Sequence, residues 1–125
     1  LAQEAPACIT ACALEEQTLR DCALFSDLLV NTTPVGMSRV EGSFASFDFL
    51  RALPKGAPVC DIIYSPPETQ LLRCGRELGH PTINGLGMLI HQAIFALEEF
   101  TATQIDAAAV MPEVERALAA AMQEV

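Results

Sequence analysis

Basic residues are scarce. Seven Lys/Arg face sixteen Asp/Glu among the 125 residues, a net charge of −9, and no cluster of bases stands out. That argues against a nucleic-acid partner, whose phosphates are held by concentrated positive charge. No stretch approaches the roughly 18 apolar residues that a membrane-spanning helix needs, so no membrane partner is expected. Cys-x-x-Cys pairs are absent too: Cys8, Cys12, Cys22, Cys60 and Cys74 are odd in number and sit mostly in apolar stretches. We read them as free thiols in a reducing cytoplasm. A zinc site is not expected, since Cys8 and Cys12 are the only close pair and His80 and His91 lie far away. The chain also lacks an initiator Met, a basic leader and a long apolar leader at Leu1-Ala2-Gln3-Glu4. We expect no signal peptide and a chain that is part of a longer one. Internal repeats and linker-like stretches are missing as well. With 51% hydrophobic and 18% charged residues, disorder is excluded, and the length allows one domain or part of one.

What is present is alternation. Cys8–Cys12 reads as a short strand, and Leu14-Glu15-Glu16-Gln17-Thr18-Leu19 as the acidic start of a helix. Leu28-Leu29-Val30-Asn31 is a buried strand stopped by Thr32-Thr33-Pro34-Val35-Gly36, and a helix is expected over 44–53. Val59–Tyr64 is a second buried strand, ended by Ser65-Pro66-Pro67. Thr69 should cap a helix that runs to Leu78 and stops at Gly79; Pro81–Asn84 is extended, and a longer helix follows. Strands apolar on both faces and separated by helices predict an α/β fold with an open parallel sheet. Its crevice lies outside the carboxyl ends of the strands, at loops 31–37, 64–69 and 84–88. The Ala-rich tail from Thr103 favours helix, with Pro112 expected in the first turn of its last segment.

In the helix after Asn84, Leu86, Leu89, Ile90, Ala93, Leu97 and Phe100 form one apolar stripe. Met88, Gln92, Phe95 and Glu99 form a second face, apolar where a surface helix would be charged, so it should look into a cleft or a second domain. Gln92 reads either as a helical glutamine satisfied locally or as a group offered to that cleft. Gly85-Leu86-Gly87 begins like a dinucleotide fingerprint but lacks the third small residue and a later acidic strand end, so it is not read as a pyrophosphate loop. His91 reads as a solvated or capping histidine and the pair Glu98-Glu99 as a solvated turn, and no nucleophile triad is legible. Tyr64, the only tyrosine, falls at a strand's carboxyl end, where it can either offer a hydroxyl to the crevice or pack in the core.

Three segments in order carry a resemblance: Asn31-Thr32-Thr33-Pro34-Val35-Gly36-Met37; Asp61-Ile62-Ile63-Tyr64 with Thr69-Gln70-Leu71-Leu72; and Asn84-Gly85-Leu86-Gly87-Met88-Leu89-Ile90-His91-Gln92-Ala93. Over about residues 8–102 the chain resembles the C-terminal half of shikimate dehydrogenases. The resemblance implies a partial Rossmann-like sheet over 1–84 and helices over 85–125 that pack back on an N-terminal substrate domain. It implies NADPH-dependent reduction of 3-dehydroshikimate to shikimate, in aromatic amino acid biosynthesis. Gln92 and Tyr64 would bind substrate. Gly85, Ile62, Met88, Asn31, Thr32 and Thr33 would border the cofactor, with Gly85 a glycine because the nicotinamide amide comes close. The implied partners are shikimate or 3-dehydroshikimate, the rest of its own chain and, as an assembly, a homodimer. The family's catalytic Lys and Asp, its substrate-binding Ser residues, its glycine-rich loop and its basic NADP-selecting loop have no counterpart in these residues. We therefore expect them to be inactive alone. The alternatives are a non-catalytic binding or assembly module of the same fold, or an NAD-using quinate/shikimate dehydrogenase.

Overall fold

A computed structural model describes residues 8–123; the opening Leu1–Glu4 and the last two residues of the tail lie outside them. In chain order the elements are α1 (Glu16–Ala23), β1 (Leu29–Asn31), a 3-10 helix (Asp48–Ala52), β2 (Val59–Asp61), α2 (Gln70–Glu77), β3 (Thr82–Ile83), α3 (Leu86–Thr101) and α4 (Ala107–Gln123). The strands form one parallel sheet in the order β1-β2-β3, with Asn31 opposite Asp61 and Val59 opposite Thr82. The α/β architecture with a parallel sheet is as the alternation predicted.

Strand alternation decides what faces the core. Val59 and Asp61 point to the side where α1, the 3-10 helix and α2 supply Ala23, Phe49, Leu50, Leu71 and Leu72, a single apolar cluster. On α2, Gly75 lets the helix approach the sheet: a Cβ there would sit 3.3 Å from Val59 Cγ2. Thr69 caps α2 as expected, its hydroxyl accepting from the Leu72 N–H at 3.4 Å. Gly79, at φ +86°, ends it: its N–H bonds the Arg76 carbonyl and that of His80 bonds the Gly75 carbonyl, each at 3.0 Å. On the other side of the sheet the register aligns Val30, Cys60 and Ile83 in one row, of which Val30 is 45% and Ile83 58% exposed.

Several expectations need correction. Cys8–Cys12 is irregular and exposed, because no neighbouring strand among the described residues pairs with it. The helix expected over 44–53 shrinks to the 3-10 turn. The Ser46 hydroxyl takes the Asp48 N–H at 3.0 Å, and Pro54 holds Leu53 extended. The strand expected over Val59–Tyr64 stops at Asp61. Ile62 still donates to the Asn31 carbonyl, but the Ile63 N–H turns to the Asp61 carboxylate at 3.1 Å and leaves the ladder. Of the stripe expected on α3, only Ile90 is buried, joined by Ile94; Ala93, Leu97 and Phe100 are exposed. Pro112 lies inside α4 and not in its first turn, because Asp106 caps the helix earlier, accepting from the N–H groups of Ala108 and Ala109 at 3.1 and 3.3 Å. Glu98 is not merely solvated: its carboxylate accepts the Ile105 N–H at 2.8 Å and pins the turn between α3 and α4. Cys8, Cys12 and Cys22 are exposed and outside the core. Among the described residues, no helix is long and apolar enough to cross a membrane and no cluster of His, Cys, Asp and Glu could hold a metal.

Candidate functional site

The site begins with a buried carboxylate. Asp61, at the end of β2, is 2% exposed, and both its oxygens are used. One accepts from Asn31 Nδ2 and from the Ile63 N–H, each at 3.1 Å; the other accepts from the Thr69 hydroxyl at 2.7 Å. Asn31 passes the network on, its Oδ1 accepting from the Thr33 N–H at 3.0 Å and the Thr33 hydroxyl at 2.7 Å. The carboxyl ends of β1 and β2 and the start of α2 are thus one hydrogen-bonded unit, in which burial strengthens each bond. The sequence reading did not single out Asp61 for a role. Its signal was an acidic residue inside the apolar run Val59-Cys60-Asp61-Ile62-Ile63, which buries only if it is paired.

This unit holds the loops that follow the strands. The Ser38 N–H donates to the Ser65 carbonyl at 2.9 Å, which clips the turn after β1 to the turn after β2. Asn84 does the same for the third loop: its Nδ2 donates to the Pro67 carbonyl at 2.9 Å, and its Oδ1 accepts from the Leu86 N–H at 3.2 Å. The result is an open cleft of about 330 Å³ at the carboxyl edge of the sheet, lined by Thr32, Thr33, Pro34, Met37, Ile62, Ile63, Tyr64, Ser65 and Met88. All three loops expected to border the crevice contribute to it. One wall is apolar, from Pro34, Met37, Ile62, Ile63 and Met88, while Thr32, Thr33, Tyr64 and Ser65 bring hydroxyls. Such a lining suits a flat ring that carries a few polar groups.

Thr32, Thr33, Ile62, Tyr64 and Met88 meet in this cleft, with Tyr64 36% and Met88 50% exposed. Asn31 is not a wall but the buried support beneath it. Gly85 lies behind Ile62: a Cβ on it would come within 1.8 Å of the Ile62 carbonyl oxygen, and its own N–H donates to the Ile63 carbonyl at 2.9 Å. The steric demand for glycine here is therefore the protein's own packing, a reason the sequence reading did not give. Gln92 does not line the cleft. It is exposed one helical turn beyond Met88, on the face it shares with exposed Phe95 and Glu99. Pro34, Met37, Ile63 and Ser65 were not singled out individually; all but Ile63 fall in loops already marked.

A parallel α/β sheet whose strand-end loops converge on one crevice defines the class as Rossmann-like. No family model matches the chain. It is 57% identical over 74 residues to the shikimate dehydrogenase (NADP(+)) of Synechococcus sp. (strain JA-3-3Ab), a match covering 56% of this chain and 25% of that protein. To the enzyme of the same name from Streptococcus pneumoniae (strain 70585) it is 42% identical over 98 residues, covering 78% of this chain and 34% of the relative. The crystal structure of shikimate 5-dehydrogenase from Listeria monocytogenes in complex with shikimate and NAD superposes with a TM-score of 0.63 at 30% identity, over 78% of this chain and 34% of that one. Quinate dehydrogenase from Corynebacterium glutamicum in complex with NAD gives 0.62 at 36% identity, over 74% of this chain and 32% of that one. By these matches the chain corresponds in sequence and fold to the C-terminal, Rossmann-like part of shikimate dehydrogenases. It spans about a quarter to a third of the length of the curated relatives it matches.

Proposed function

We propose that these residues form the nicotinamide-side part of an NADP-dependent shikimate dehydrogenase, which reduces 3-dehydroshikimate to shikimate with NADPH. The observation that carries the reading is the cleft at the carboxyl edge of the sheet, where Thr32, Thr33, Ile62, Tyr64 and Met88 converge. The lining fits the group: apolar side chains for the faces of a nicotinamide ring and hydroxyls at the edge for its amide. When bound, the nicotinamide supplies the hydride. Met88 and Ile62 would hold the ring's faces and exclude water, Thr32 and Thr33 would border it, and Asn31 keeps Thr33 in place. Gly85 brings the start of α3 against the Ile62-Ile63 backbone just past β2, which puts Met88 in the cleft wall, where it would meet the ring, with Gln92 one turn on.

Tyr64 and Gln92 are assigned to the substrate, Tyr64 from the cleft wall and Gln92 from the exposed face of α3, where it hydrogen-bonds a hydroxyl once a substrate domain covers that face. In the same reading residues 1–84 belong to the cofactor domain and residues 85–125 bridge to the substrate domain. Among the described residues, no Lys, Asp or His lines the cleft, and in this reading the general acid is supplied by the rest of the enzyme. The test is a chimera in which residues 8–102 replace the matching segment of the Synechococcus enzyme. We expect NADP-dependent oxidation of shikimate to persist, and Gln92→Ala to lower kcat/KM by about 10- to 100-fold, the cost of leaving a substrate hydroxyl unpaired. A folded chimera without activity overturns the assignment of function. An unchanged kcat/KM in the variant returns Gln92 to a surface role.

A further inference from the structure

Three of the five cysteines, Cys8, Cys12 and Cys22, are exposed, whereas Cys60 and Cys74 are half-buried. Cys22 is held on α1, and Cys12 lies in the irregular stretch that leads into that helix. Their sulfur atoms are 3.9 Å apart and share a hydrogen bond. A disulfide needs about 2.0 Å, and the irregular backbone around Cys12 lets the two sulfurs close that gap while the helix stays in place. The shared hydrogen bond pushes the Cys22 thiol up, helped by local desolvation and by negative charge on Cys12 and Asp21. Both thiols are exposed to a reagent, and Cys12, on the irregular stretch, makes the first attack.

We propose that Cys12 and Cys22 form a redox-active dithiol that low-molecular-weight disulfides oxidise to an intramolecular disulfide. The Cys12 thiolate attacks one sulfur of the reagent; the reagent's S–S bond breaks, a mixed disulfide forms, and one reagent thiolate leaves. Cys22 then gives up its proton and attacks the Cys12 sulfur, expelling the second reagent thiolate. Two protein thiols are oxidised, one reagent disulfide is reduced to two thiols, and the two protons released are taken up by those thiols. In a reducing compartment the pair rests as the dithiol, and an excess of reduced reagent thiol reverses the bridge. This site is independent of the cleft and of the activity proposed for it.

The experiment treats the folded chain with oxidised glutathione, quenches with acid, and maps thiols after tryptic cleavage at Arg20, which separates Cys12 from Cys22. The expected result is loss of two of the five thiols, with a cross-linked peptide pair that persists in Cys8→Ser, disappears in Cys12→Ser and is restored to free thiols by reduced glutathione. Three outcomes overturn the proposal: glutathione adducts on single cysteines with no cross-link, a cross-link that vanishes in Cys8→Ser, or one between two chains whose yield rises with protein concentration. Both substituted positions are exposed, so the serine variants are expected to fold.

Discussion

The stretch from α1 to β3 and the pair α3–α4 handle apolar surface in opposite ways. In the first, three short strands and their connections close on a core in which Leu50 and Val59 are 0% exposed and Phe49 and Leu71 each 2%. In the second, α3 buries only Ile90 and Ile94 and leaves Phe95 62% and Phe100 88% exposed, while α4 buries none of its described side chains. The first region closes one face of its sheet on a core, while Val30 and Ile83 on the other face stay exposed. The second presents an exposed apolar surface, and only its first turn reaches the cleft. An apolar face this large is the mark of an interaction surface. It agrees with helices that return to a second domain in the function proposed.

The contrast can be broken or sharpened by substitution. Leu50→Ala should cost the most, about 2–5 kcal/mol, because it leaves a cavity in the core around Phe49 and Val59; the urea unfolding midpoint measures it. Asp61→Ala should come next, at about 3 kcal/mol, because it strands the Asn31 amide, the Ile63 N–H and the Thr69 hydroxyl without their acceptor. The same variant should slacken the loops around Thr33, which amide hydrogen exchange reads directly. Phe100→Ser should change the isolated chain's stability by no more than about 0.5 kcal/mol and reduce its tendency to self-associate in light scattering. If Phe100→Ser destabilises as much as Leu50→Ala, α3 belongs to the closed core and the contrast fails.

The same division explains what the sequence made legible. The positions of β1, β2 and β3, the Thr69 cap and the Gly79 stop were readable because each is set by a local rule that the surrounding fold does not override, whereas the strand expected at Cys8–Cys12 finds no partner. The three loops at the carboxyl edge were readable for the same reason, since Thr32-Thr33-Pro34 and Ser65-Pro66-Pro67 end strands by their own chemistry. The stripe on α3 misled. Periodicity reports which side chains share a face, and Leu97 and Phe100 do, but it does not say whether anything lies against that face. Asp61 was visible only as an oddity in an apolar run, because its partners Asn31 and Thr69 come from other elements and long-range pairing leaves no spacing to read. Gly85 was marked as a glycine that permits close approach, but the group it approaches, the Ile62 carbonyl, emerged only from the fold.

That contact turns α3 into a lever with one sharp fulcrum. Sixteen residues at about 1.5 Å each make an arm of roughly 24 Å, and Gly85, wedged against the Ile62 carbonyl, sits at its pivot. A rocking of about 5° would carry Phe100 through about 2 Å, yet would move Gln92, roughly 10 Å from the pivot, by less than about 1 Å. Groups near the fulcrum keep their aim while the far end swings, so a covering domain could open and close on the distal helix without disturbing what the proximal turns hold.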